Sequence, residues 1–179
     1  MSQRWQLPPG WLWKPLGDAS VCEIIMGQSP PGNTYNDDGN GLPFFQGKTD
    51  FGETFPTARK WCTDPGKVSV PGDVLISVRA PVGPTNITET KCIIGRGLAG
   101  LRPAEYVQTR YLFYAIRNIE TAITSRGTGS TFQNISKTSL SEVEIPILSG
   151  QISLDDLKHV DLPLNEQEKY LLMRKRLKR

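Results

Sequence analysis

Turn-forming clusters interrupt the first half of this chain too often for a long helix to form there. They fall at Pro8-Pro9-Gly10, Ser29-Pro30-Pro31-Gly32-Asn33, Asn36-Asp37-Asp38-Gly39-Asn40-Gly41 and Pro71-Gly72-Asp73. Proline removes a backbone donor, while glycine, asparagine and aspartate accept the backbone angles of tight turns. What lies between the clusters is short. Residues 19–26 suit a strand or a short helix stopped by Gly27, and Leu42-Pro43-Phe44-Phe45 returns the chain towards a core. Val74-Leu75-Ile76-Ser77-Val78 and Lys91-Cys92-Ile93-Ile94 read as short buried strands.

Helical periodicity is confined to two places. The spacing of Val107, Tyr111, Leu112, Tyr114, Ala115, Ile119 and Ile123 predicts a helix over about 106–124. After it, Val143-Glu144-Ile145-Pro146-Ile147 reads as a strand whose proline puts it at an edge or an end. Near the C-terminus, Asn165 is suited to cap a helix with acids in its first turn, running through Leu171, Leu172 and Met173 to Leu177. A helix of that length is marginal alone in water and needs a partner surface.

At 179 residues the chain is most simply one domain with a core of its own. No apolar run approaches the ~18 residues of a membrane span, and Met-Ser-Gln-Arg-Trp-Gln-Leu-Pro-Pro lacks the apolar centre of a signal peptide. Cys22, Cys62 and Cys92 are odd in number and have no metal-type spacing. The expected state is cytoplasmic and reduced, with no metal or cofactor.

Charge is distributed unevenly. Residues 74–141 hold Arg79, Lys91, Arg96, Arg102, Arg110, Arg117, Arg126 and Lys137 against only Glu89, Glu105 and Glu120. Residues 142–168 are acidic, and the last eleven are basic with no acid. Such local concentration of positive field suits a polyanionic partner better than a net charge of +3 would suggest. Within the basic block, Thr121 to Ser141 contains no acid. Its centre, Ser125-Arg-Gly-Thr-Gly-Ser-Thr-Phe-Gln-Asn-Ile-Ser136, is rich in hydroxyl and amide groups that donate and accept hydrogen bonds.

Catalytic patterns are thin. Gly95-Arg96-Gly97-Leu98-Ala99-Gly100 has the spacing of a dinucleotide-binding loop, but Pro103 stands where the helix required by that motif should be under way. Asp73, Glu89 and Lys91 imitate the carboxylates and lysine of a magnesium-dependent nuclease, which is the alternative enzymatic reading. In a Pro-Gly-Asp turn, however, Asp73 more often caps backbone. His159 is the only histidine, which disfavours His-rich metal sites and hydrolase triads.

Four segments together carry a family resemblance. They are Leu7-Pro-Pro-Gly-Trp11 with Leu16-Gly17-Asp18, Gly72-Asp-Val-Leu-Ile-Ser-Val-Arg-Ala-Pro-Val-Gly83, Gly129-Ser-Thr-Phe-Gln-Asn-Ile-Ser136 and Leu162-Pro-Leu-Asn-Glu-Gln167. In this order they resemble a target recognition domain of the specificity subunit of type I restriction–modification enzymes. The resemblance implies an α+β fold. A compact, strand-rich, twisted recognition domain with a few helices would span 1–160, and the start of the family's C-terminal amphipathic helix 161–179. It also implies a non-enzymatic role: recognition of one part of a split double-stranded DNA target on behalf of methylation and restriction subunits. With one recognition domain and one helical region, the chain looks like half a specificity subunit. It would pair with a second copy, or another half-subunit, through the C-terminal helix and so read a symmetric target. A third possibility is a truncated interaction module of the restriction machinery without specific DNA binding.

Groove chemistry then nominates the contacts. Lysine and arginine set register on phosphates, while glutamine and asparagine pair with adenine and arginine with guanine. The residues expected to touch DNA are Gln46 and Lys48, Arg79 after the central strand, and Arg126, Thr128, Ser130, Thr131, Gln133, Asn134 and Lys137 in and beside the polar segment.

Overall fold

The computed structural model describes residues 7, 10–64, 66–120, 123 and 134–148. The expected C-terminal helix over 161–179 and most of the segment 125–136 lie outside these residues. The chain divides into two compact units, residues 1–14 with 146–179, and residues 15–145. Most of the first unit's described residues belong to β1 (Trp11–Pro15) and β11 (Glu144–Leu148), which pair as a two-stranded sheet.

In the second unit, β2 (Cys22–Met26), β7 (Val74–Ser77), β8 (Thr85–Ile87) and β10 (Leu98–Pro103) form a sheet in the order β2-β10-β7-β8. All its pairings are antiparallel. The open reading of residues 19–26 is thus resolved as a turn at 19–21 leading into the strand Cys22–Met26. The uninterrupted apolar run of β7 is explained by its position: it lies between β10 and β8, and all four of its residues are buried.

A second sheet runs β3 (Tyr35–Asn36), β5 (Trp61–Cys62), β4 (Leu42–Phe45), β9 (Cys92–Ile94), β6 (Val68–Ser69). Its β4–β9 pair is parallel, with Phe44 opposite Ile93 and Phe45 opposite Ile94. Because successive strand side chains point to opposite faces, this register divides the four between two cores. Phe45 and Ile94 join Leu75, Cys92 and Leu98, while Phe44 and Ile93 join Cys62 under Tyr35, Leu42 and Val68. Gly100 of β10 abuts Ser69 of β6 so closely that a Cβ at Gly100 would collide with the Ser69 hydroxyl. A side chain there would require the buried Ser69 hydroxyl to turn away.

The helix α1 spans Thr109–Asn118 and buries Leu112, Phe113, Ala115 and Ile116, packing on β8, β7 and β10. It begins later than the expected 106. The Val107 amide bonds to the Ala104 carbonyl in a turn, and Tyr106 is 92% exposed. The Thr109 hydroxyl anchors the helix start by donating to the Gly72 carbonyl at 2.8 Å. A five-residue helix, α2 (Lys137–Ser141), follows an N-cap at Ser136. Gly17 of the Leu16-Gly17-Asp18 segment lies against its end: the Gly17 amide bonds to the Ser141 carbonyl, and a Cβ at Gly17 would press on Ser141. Proximity to α2 accounts for the glycine.

Candidate functional site

Three backbone segments from distant parts of the chain meet around a concavity of about 580 Å³: residues 46–49 after β4, 79–81 after β7, and the 95–97 turn between β9 and β10. The third is fastened on both sides. The Gly95 amide bonds to the Phe45 carbonyl at 2.8 Å, and the Val78 amide to the Gly97 carbonyl at 2.9 Å. The contact between turn and neighbour is backbone against backbone, since a Cβ on Gly97 would strike the Gln46 carbonyl. Arg96 is therefore held at the rim between Gly95, packed closely on the Phe44 ring, and Gly97, which cannot take a side chain, with its own amide directed to the Ser29 hydroxyl at 3.4 Å.

Lys48, Arg79 and Arg96 all line the concavity and are exposed, and among the described residues no acid lines it. Among the described residues no carboxylate pairs with any of the three. Asp50 is near in sequence, but one of its carboxylate oxygens accepts the Gln46 and Gly47 amides, at 2.7 and 3.4 Å. Two unit charges about 8 Å apart in water repel by only ~0.5 kcal/mol, so an exposed cluster costs the fold little. The same three fields add for an approaching polyanion.

Gln46, Lys48 and Arg79 of the expected contact residues are brought together here. Asn134 joins them through the backbone: it forms an isolated antiparallel bridge with Arg79, and the adjacent Ile135 amide bonds to the Val78 carbonyl at 2.9 Å. Asn134 and Ile135 of the acid-free segment are thereby fixed beside the chain that leaves β7 through Val78 and Arg79. Lys137 is exposed at the first position of α2 and does not line the concavity. Arg126, Thr128, Ser130, Thr131 and Gln133 lie outside the described residues. Arg96 was not anticipated as a contact, although it belongs to the basic block. Its neighbours matched a nucleotide-loop spacing, and here they make a turn into strand β10 where that motif demands a helix.

The imitation nuclease centre does not assemble. Asp73 is 1% exposed, and its two oxygens receive Nε and Nη2 of Arg102, each at 3.1 Å. One of them also accepts the Val70 amide at 2.9 Å, the turn-capping role expected of Pro-Gly-Asp. Glu89 and Lys91 are exposed. Among the described residues, no group of three His, Cys, Asp or Glu side chains could hold a metal ion. No helix among them is long and apolar enough to cross a membrane.

Comparison with known proteins gives a consistent picture. Residues 8–170 match the family model of the type I restriction modification DNA specificity domain. A curated MjaX type I restriction enzyme specificity subunit from Methanocaldococcus jannaschii is 43% identical over 143 residues, which is 79% of this chain and 34% of that protein. A solved structure concerned with complex assembly and conformational transition of the type I R-M system aligns with a TM-score of 0.75 at 47% identity, covering 99% of this chain and 40% of its own. The HsdS subunit from Thermoanaerobacter tengcongensis aligns at 0.73 and 46%, covering 97% and 39%. The S subunit from M. genitalium, at 16% identity, TM-score 0.62 and coverage of 84% and 37%, shares the fold. The chain thus spans well under half the length of these relatives.

Proposed function

The chain belongs to the family of type I restriction–modification DNA specificity domains, and we propose that it recognises a particular double-stranded DNA sequence without performing chemistry itself. The observation that carries this reading is the concavity rimmed by Lys48, Arg79 and Arg96, free of acids among the described residues and joined at Arg79 by Asn134 of the acid-free stretch. Cations on phosphates give affinity and register, and affinity of that kind falls steeply with salt. Amide and guanidinium groups read base edges. Gln46 and Asn134 are suited to adenine, with Lys137 and the segment holding Arg126, Thr128, Ser130, Thr131 and Gln133 extending the surface.

The same reading supplies partners. Methylation and restriction subunits would be directed to the site, in the cytoplasm. Residues 161–179 would begin the helix that docks them and pairs two recognition units, with residues 1–160 as the recognition domain. The relatives' greater length supports this assembly role, because one recognition domain covers only one part of a split target.

The test is to combine the protein with a type I methylation subunit, map the adenines that become methylated, and in parallel select bound duplexes from a random pool. Methylation at one recurring motif that also appears among the selected duplexes is expected. No methylation together with no preference among duplexes would sink the reading.

A further inference from the structure

We infer that the concavity between residues 46–49, 79–81 and 95–97 seats a phosphate of the DNA backbone, and that Arg96 is its positioned cation. This rests on the DNA-recognition reading above and divides its labour: the three cations of the hollow set register on phosphate, while amide groups at its edge, such as Gln46, and the rest of the surface read sequence.

Shape is the first ground. Base edges lie at the floor of grooves and are reached by protruding helices, ribbons or loops. A phosphate strand is a ridge, and a hollow complements a ridge. Charge is the second. Lys48, Arg79 and Arg96 converge on the hollow with no carboxylate paired to them among the described residues. A phosphate would supply the counter-charge. Rigidity is the third. Arg96 sits on a turn bonded to Phe45 on one side and Val78 on the other, and the flanking glycines press against neighbouring atoms. Such a cation loses little backbone freedom on binding, as a register-setting contact requires.

Equilibrium binding to the selected duplex and to a scrambled one, across a salt series, tests the assignment with wild type, Arg96→Ala and Arg96→Lys. Arg96→Ala should weaken both duplexes by the same factor, on the order of tenfold. The slope of log affinity against log salt should become shallower by about 0.9. Arg96→Lys should restore most of the affinity, since a phosphate accepts a point charge. Three outcomes would overturn the assignment: affinity unchanged in Arg96→Ala, discrimination between the duplexes lost while the salt slope is kept, or a lysine variant as weak as alanine. Should Arg96→Ala fail to fold, Arg96→Lys and Arg96→Gln, which differ in charge, decide the matter. Wild type with no DNA affinity would defeat the parent reading. Any of the three contrary results in a wild type that does bind would defeat only this one.

Discussion

Asp73 gives both carboxylate oxygens to Arg102 and shares one of them with the Val70 amide. Asp73 is 1% exposed, while Arg102 remains 36% exposed and also reaches Glu23 at 3.3 Å. Hydrogen bonding to the Asp73 carboxylate, with the guanidinium donating, is the main reason that Arg102 is held still more firmly in its charged form. Arg102→Ala would leave the carboxylate buried with one amide for company. The expected loss in a urea titration is roughly 2–3 kcal/mol, short of the ~3–5 of a wholly buried pair because water reaches Arg102. The role of Asp73 in its turn was legible, because Pro-Gly-Asp acts on neighbours three residues away. Its partner was not, because Arg102 arrives through the antiparallel pairing of β10 with β7, which no local spacing encodes. Arg96 escaped notice for the same reason: it meets Lys48 only once the β4–β9 register exists.

At the scale of elements, composition located β7, β9 and β11 but left β3, β5, β8 and β10 unread, and it gave no strand its neighbours. β7 and β9 were read from continuous apolar runs, and β11 from Val143-Glu144-Ile145-Pro146-Ile147, its proline serving only to place it at an edge or an end. The sheet orders, and the parallel β4–β9 pair above all, depend on contacts far apart in sequence. The start of α1 was misplaced because apolar spacing continues into Val107, whereas the backbone is still turning there. α2 has only five residues, so its cap matters more than its propensity. The Ser136 hydroxyl accepts the Ser139 amide at 3.1 Å. Ser136→Ala should cost ~1 kcal/mol, and hydrogen exchange should quicken at Ser139 and Leu140 while the amides of β7 and β10 keep their protection.

For the whole molecule, burial of the cysteines ties stability to alkaline pH. Burial pushes the Cys22 thiol up to about 12 and the Cys92 thiol up to about 11, from an ordinary 9.0. Between those values the folded chain holds protons that the unfolded chain releases. Their stabilising contribution is therefore fully present below about pH 9 and lost as pH rises towards 11 and 12. Urea midpoints should decline across that window, and a Cys22→Ala protein should decline less steeply than wild type. The parallel β4–β9 pair bears on how such a protein could diversify. Inserting one residue within Leu42–Phe45 would exchange Phe44 and Phe45 between their cores and turn the chain leading to Gln46 onto the other face. A lineage changing its preferred duplex is thus confined to substitution, or to lengthening the chain beyond the strand ends, while the strands keep their residue count.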